Sequence, residues 1–308
     1  MAQHPFPVDA VYSGISLAYR NNAYIADLVL PRTKVGKHSF KYRVFGKDQY
    51  LTLPDTAVSR KGIPSQVELT FTEATDSVVD YGLDDVVPYD DVADAPEGYD
   101  PQKRAVEYLT ELIMLAREVR TANLVFNDST YSTGYKTTLT GASQFSHADS
   151  DPIATIKAGL DKCFIRPNTI VIGREVFSVL STHPKIVQAF YPNSAGNGIV
   201  NAQQLAQMFE VENVLVGNAW VNGSKRGATP SLSRAWGKHL AMLHINKMAG
   251  TNDMPTFGLT AEYGNRVSGV LPDPRSGLRG ANIVRVGESL KELVICPELG
   301  YFIKNAVN

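Results

Sequence analysis

The sequence predicts an α+β chain organised around one long helix, and three observations predict it. Helical periodicity runs from Pro101 to Phe126, two period-two strands stand apart near the start, and short helices and strands alternate through the second half. The bulk composition agrees: 44% hydrophobic and 20% charged residues in 308 is globular, with enough chain for one large or two medium domains.

Taken in order, residues 1–36 read as an extended arm. Pro5, Pro7 and Pro31 interrupt it, and isolated apolar residues sit among Ser13-Gly14 and Asn21-Asn22, so it needs another surface to dock on. Phe40, Tyr42 and Val44 then alternate with Lys41 and Arg43, as Val67, Leu69 and Phe71 do with Glu68 and Thr70. Alternation of this kind gives each strand one apolar face. The connection between them, with Gly46, Pro54, Gly62 and Pro64, is too long for a tight turn and predicts a protruding loop. A two-stranded ribbon alone is marginal in water, so its apolar face is expected to lie on a neighbouring subunit.

The acidic stretch 76–100 lacks the carboxylate spacing of a calcium loop and reads as a solvated connector. Asp100 and Pro101 then supply an N-cap and a first-turn proline. Leu109, Leu112, Ile113, Ala116 and Val119 recur at helical spacing and are the expected core face of this spine. Helical from residue 101 to 126, it is about 39 Å long at 1.5 Å per residue. Beyond it, helices are expected from Asp151-Pro152 to Leu160, Arg174 to Thr182 and Ala202 to Phe209. Strands are expected at Thr169 to Ile172, Val211 to Val221, Leu240 to Ile245 and Phe257 to Glu262. A Gly/Pro-rich loop from Gly269 to Gly280 precedes strands at Asn282 to Val286, Leu293 to Cys296 and Tyr301 to Ile303.

The search for chemistry returns little. The six histidines form no HExxH pair, and Cys163 and Cys296 stand far apart in no CxxC, so neither a metal site nor a disulfide framework is expected. No Gly-x-Ser-x-Gly elbow and no phosphate-binding Gly-Lys-Ser/Thr loop occurs. Thirty basic residues against thirty-one acidic ones lack the footprint of a dedicated nucleic-acid binder. No stretch approaches the roughly 18 apolar residues of a membrane span. The expectation is a chain with no catalytic residue, no cofactor and no metal.

Three blocks carry a resemblance. They are Tyr24 to Pro31 with Lys41-Tyr42; Arg104 to Phe126; and Asp151 to Ala158 followed by Arg166 to Gly173, Val176-Phe177 and Thr182 to Lys185. Leu205 to Gly217 and Trp236-Gly237-Lys238 continue the third. In this order and spacing the chain resembles the major capsid proteins of tailed bacteriophages, whose Johnson fold (the Hong Kong phage capsid fold) is shared with encapsulins. The resemblance implies an N-terminal arm at 1–36, an extended loop at 37–75 and a peripheral domain from 76–150 and 261–308. That domain includes spine helix 101–126, and an axial domain spans 151–260. It implies self-assembly into hexamers and pentamers of an icosahedral shell that encloses double-stranded DNA without reading its sequence. Implied partners are separate scaffold and portal proteins and a decoration protein. Implied locations are the virion and, during assembly, the bacterial host cytoplasm. Subunit contacts are expected at Tyr24, Ile25, Phe40, Tyr42, Val44, Arg60, Lys61, Val67, Leu69, Phe71, Arg275 and Arg279. The alternatives are an encapsulin-type nanocompartment shell and, from another class, a metal-dependent hydrolase using the acidic 76–100 segment.

Overall fold

The spine forms where its start signals place it. In the computed structural model, Asp100 accepts hydrogen bonds from the Gln102 and Lys103 amides at 2.9 and 3.2 Å, and the helix runs Pro101–Val125. The structure describes residues 6–44, 53–66, 72–194, 196–225, 227–250 and 255–308. Ala105, Val106, Leu109 and Ile113 are buried against Val87, Val284 and Val286. Each large apolar side chain buried this way contributes about 1.5–3 kcal/mol. Leu112 and Val119 are half-buried, and Ala116 is exposed. Ala116 therefore does not belong to the core face: Arg117, Glu118 and Thr121 take the buried positions instead, because a polar clamp is built there.

A long antiparallel hairpin, Gly258–Asp273 with Ala281–Val294, lies along the spine. The sequence reads its second arm as two strands and residues 269–280 as loop. A single inward series, Val284, Val286, Glu288 and Leu290, keeps the strand continuous, and only residues 274–280 remain as the turn. Val79–Pro88 pairs with this arm, and Arg32–Val35 pairs in parallel with Gly258–Asp273, giving a four-stranded sheet. Half of the supposed acidic connector is thus a strand. Tyr81 and Val87 face the spine, while Asp80 and Asp84 point outward to Ser289 and Arg285.

The arm is not extended among its described residues. Asp9 caps a helix, Ala10–Ala18, through the amides of Val11 and Tyr12. Ser16 bonds Thr110 at 2.9 Å, and Ser13 accepts from the Ser268 amide. Short polar side chains, together with Tyr12 and Ile15 packed on the spine's apolar cluster, tie this helix to the spine and hairpin.

The second half forms a five-stranded sheet in the order Lys136–Thr138, Gly300–Lys304, Leu240–Leu243, Thr169–Gly173, Asn213–Gly217. Helices Pro152–Lys162, Arg174–Thr182, Pro184–Phe190 and Ala202–Phe209 surround it. Every residue of Thr169–Gly173 is buried, as its unbroken apolar run requires. Residues 300–304, which the sequence groups with the spine, instead pair with Leu240–Leu243. The expected strand 211–221 divides into Asn213–Gly217 and Trp220–Asn222, the latter forming a small ribbon with Leu232–Arg234. Gly173 and Gly217 lie side by side because Trp236 crosses them: a Cβ at Gly217 would stand 2.1 Å from its ring.

Candidate assembly surfaces and the arm clamp

A buried polar cluster fastens the arm to the rest of the subunit. Glu118 on the spine accepts from the amides of Ile25 and Ala26, at 3.0 and 2.8 Å, and from the Trp236 indole at 2.5 Å. Beside it, Arg117 donates to Asp27, to the Leu30 carbonyl and to Thr260. Arg32 reaches Asp27, Glu262 and Glu288, while Arg266 binds Glu288 and the Ser16 carbonyl. One cluster thereby joins arm, spine, hairpin and five-stranded sheet.

The clamp's carboxyls differ in proton affinity. Burial pushes Glu118 upward, against the pull of its three donors. Burial also acts to raise Asp27 and Glu288, but the guanidinium groups prevail, holding Asp27 at about 2 and Glu288 below its usual range. Groups lowered in this way stabilise the fold fully above their unfolded pKa, about 4 for carboxyls, and that stability disappears as pH falls through the folded value. Glu118 has the opposite sign, since acid relieves the cost of its burial. Asp27→Asn is expected to flatten the loss of stability between pH 4 and 2. Denaturant melts across that range measure it, and an unchanged acid limb would sink the assignment.

The structure redistributes the expected contact residues. Phe40 is buried within its own chain against Leu259, Ala261, Leu293 and Ile295, with Tyr42 packed beside it. Val44 is half-buried. The ribbon's apolar face is therefore covered by the subunit's own hairpin. Its described partner strand is Thr72–Ser77, in register Phe40↔Asp76 and Tyr42↔Ala74. Val67, Leu69 and Phe71 lie outside the described residues. Ile25 is buried in the core, and the Tyr24 hydroxyl donates to Glu111 at 2.5 Å. Ile25 serves the clamp through its amide, and Tyr24 ties the arm to the spine one turn and more away, at Glu111.

What remains outward is the loop. Residues 53–66 are all exposed, Arg60 and Lys61 included, and Leu53 and Ile63 are 89% and 88% exposed. At the hairpin tip, Leu278 is 99% exposed beside Arg275, and Arg279 pairs with Asp90 at 2.9 Å. Trp220 and Leu232 stand out on the small ribbon, with Arg234 stacked on the indole at 3.9 Å. Scattered surface leucines are ordinary, but here a whole 14-residue stretch, 53–66, has no buried side chain.

Among the described residues no group of three or more His, Cys, Asp and Glu side chains could hold a metal ion, and no helix is long and apolar enough to cross a membrane. Several acidic residues of 76–100 are engaged elsewhere: Asp76 with Lys291, Asp84 with Arg285, Asp90 with Arg279, and Asp100 as a cap. Cys163 and Cys296 are buried free thiols.

No protein-family model matches the chain. It is 46% identical over 307 residues to the major capsid protein of Pseudomonas phage JBD67, covering 100% of this chain and 99% of that relative. The chain belongs to the phage major capsid proteins. Among solved structures it is similar to a phage-related protein from Bordetella bronchiseptica RB50, with TM-score 0.77, 23% identity, and coverage of 98% of this chain and 99% of that one. The capsid of cyanophage P-SCSP1u shares the fold at TM-score 0.61 with 9% identity, over 99% of this chain and 92% of that one. Identity that low speaks for the fold alone. The subunit is a structural one: it self-assembles into the capsid shell of a virion.

The clamp is what the sequence reading missed. One signal was available: Arg117 and Thr121 continue the spacing of Thr110 and Ile113 along the spine, so buried polar side chains fall on the phase of the apolar stripe.

Proposed function

We propose that the chain forms hexamers and pentamers of an icosahedral shell around double-stranded DNA. A division into arm (1–36), extended loop (37–75), a peripheral part built on the spine and the four-stranded sheet, and an axial part built on the five-stranded sheet, which also takes in 136–138 and 300–304, supports this reading. Each copy reaches a neighbour with its loop and meets others through the axial part. Contacts of this heterologous kind close into rings. The observation that carries the proposal is the fully exposed 53–66 stretch, because its apolar side chains acquire cover only from another copy.

Near-neutral net charge limits repulsion between copies and leaves only a weak general attraction for the enclosed DNA. Assembly takes place in the host cytoplasm with separate scaffold and portal proteins, and a decoration protein binds the finished surface. The test is to express the chain and examine it by negative-stain microscopy and sedimentation. Rings or particles of uniform size are expected; a stable monomer at high concentration would overturn the proposal.

A further inference from the structure

Two Asn-Gly pairs occur in the chain, Asn197-Gly198 and Asn222-Gly223. Asparagine before glycine is especially prone to deamidation, because a residue without a Cβ lets its own amide nitrogen swing onto the preceding carboxamide. That nitrogen attacks Cγ, ammonia leaves, and a five-membered succinimide forms. Water then opens the ring at either carbonyl, giving aspartate or isoaspartate. One water is consumed and one ammonia released, with no change of oxidation state.

Both pairs are exposed, so access to water does not separate them. Hydrogen bonding does. Asn222 ends the strand Trp220–Asn222, and its Oδ1 accepts from the Ser224 and Ser231 amides at 3.1 and 3.0 Å. The attacking nitrogen is held as well, since the Gly223 amide donates to the Ser231 carbonyl at 3.0 Å. Closing the ring there breaks this set of bonds. At the other pair, among the described residues, no hydrogen bond holds the Asn197 carboxamide or the Gly198 amide.

We propose that Asn197 is a site of spontaneous deamidation, and that the fold directs the reaction there by locking Asn222 in the same chain. Each modified copy gains a carboxylate. The isoaspartyl product also lengthens the backbone by one methylene, and the loop has no slack for it. A Cβ at Gly196 would stand 3.3 Å from Pro184, and one at Gly198 would stand 3.0 Å from Val187, so the loop lies tightly on the helix Pro184–Phe190. Beyond it the Val200 amide is fixed to the Ser181 carbonyl at 2.8 Å. Modified copies therefore lift their cover from this helix. The inference stands apart from the shell reading.

The test compares native chain with chain in urea, both incubated in mildly alkaline buffer and then digested for mass spectrometry. In the native chain the Asn197 peptide is expected to convert at least about tenfold faster than the Asn222 peptide, because reaction at Asn222 waits on a local opening. That ratio needs an opening of only about 1.4 kcal/mol. In urea the two rates are expected to converge. Labelling by an isoaspartyl methyltransferase is expected at residue 197, and chymotrypsin is expected to cut after Tyr191 sooner in aged native chain than in fresh.

Equal native rates, or faster conversion at Asn222, would overturn the proposal. A ratio that persisted in urea would overturn the part given to the fold, since neighbours in sequence would then set it. Identical chymotrypsin patterns from fresh and isoaspartyl-containing chain would overturn the lifting of the loop.

Discussion

Glu118→Ala is expected to destabilise the subunit by about 3–5 kcal/mol, the usual cost of removing one partner from a buried charged network. The Glu118 side chain is fully buried and is the shared acceptor for the Ile25 amide, the Ala26 amide and the Trp236 indole. Alanine would leave those donors without acceptors in a space too tight to hydrate freely. For a chain of this length such a loss corresponds to a fall in melting temperature on the order of 10 °C. Glu118→Gln is expected to cost less, because its carbonyl still accepts while its amide group turns a donor toward donors. Melts of both variants provide the measurement. A loss below about 1 kcal/mol for alanine would show that the carboxylate contributes little beyond filling space.

Deleting Gly46 to Pro64 is expected to abolish particle formation while the subunit remains folded. The two halves of this prediction have separate causes. Residues 53–66 bury no side chain in their own subunit, so little folding energy is lost with them. In the shell the missing contact recurs at every copy, and a modest loss per contact multiplies across the assembly. Size-exclusion chromatography reads the first outcome and circular dichroism the second. Unfolded material would contradict the loop's independence, and intact particles would contradict its part in assembly.

Much of the fold was legible because its elements carry strong local signals. The spine has Asp100 and Pro101 at its start and a sustained apolar spacing, and Thr169 to Ile172 has four apolar or β-branched residues in succession. The failures arose where tertiary context overrode local pattern. The strand at Val79–Pro88 looked like a connector because its outward side chains are aspartates, and only a partner strand bearing Arg285 and Ser289 makes them sheet residues. The arm looked extended because Ser13, Ser16 and Asp9 do not resemble core residues, yet their hydrogen bonds fix it to the subunit. The contact surface was only partly legible. Alternation in Phe40 and Tyr42 reveals an apolar face but not what covers it, and here the hairpin some 220 residues later does so. Arg60 and Lys61, surrounded by Gly62 and Pro64, were readable as outward because such a segment has no periodicity to bury.

The five-stranded sheet has a consequence for biosynthesis. Its second strand, Gly300–Lys304, is wedged between Lys136–Thr138 and Leu240–Leu243, so the sheet stays unclosed until translation has passed residue 304. A nascent chain can display its spine and loop long before then, but it lacks the platform that carries the Trp220 ribbon. A chain cut short before residue 300 thus lacks an interior strand of that sheet, not an edge.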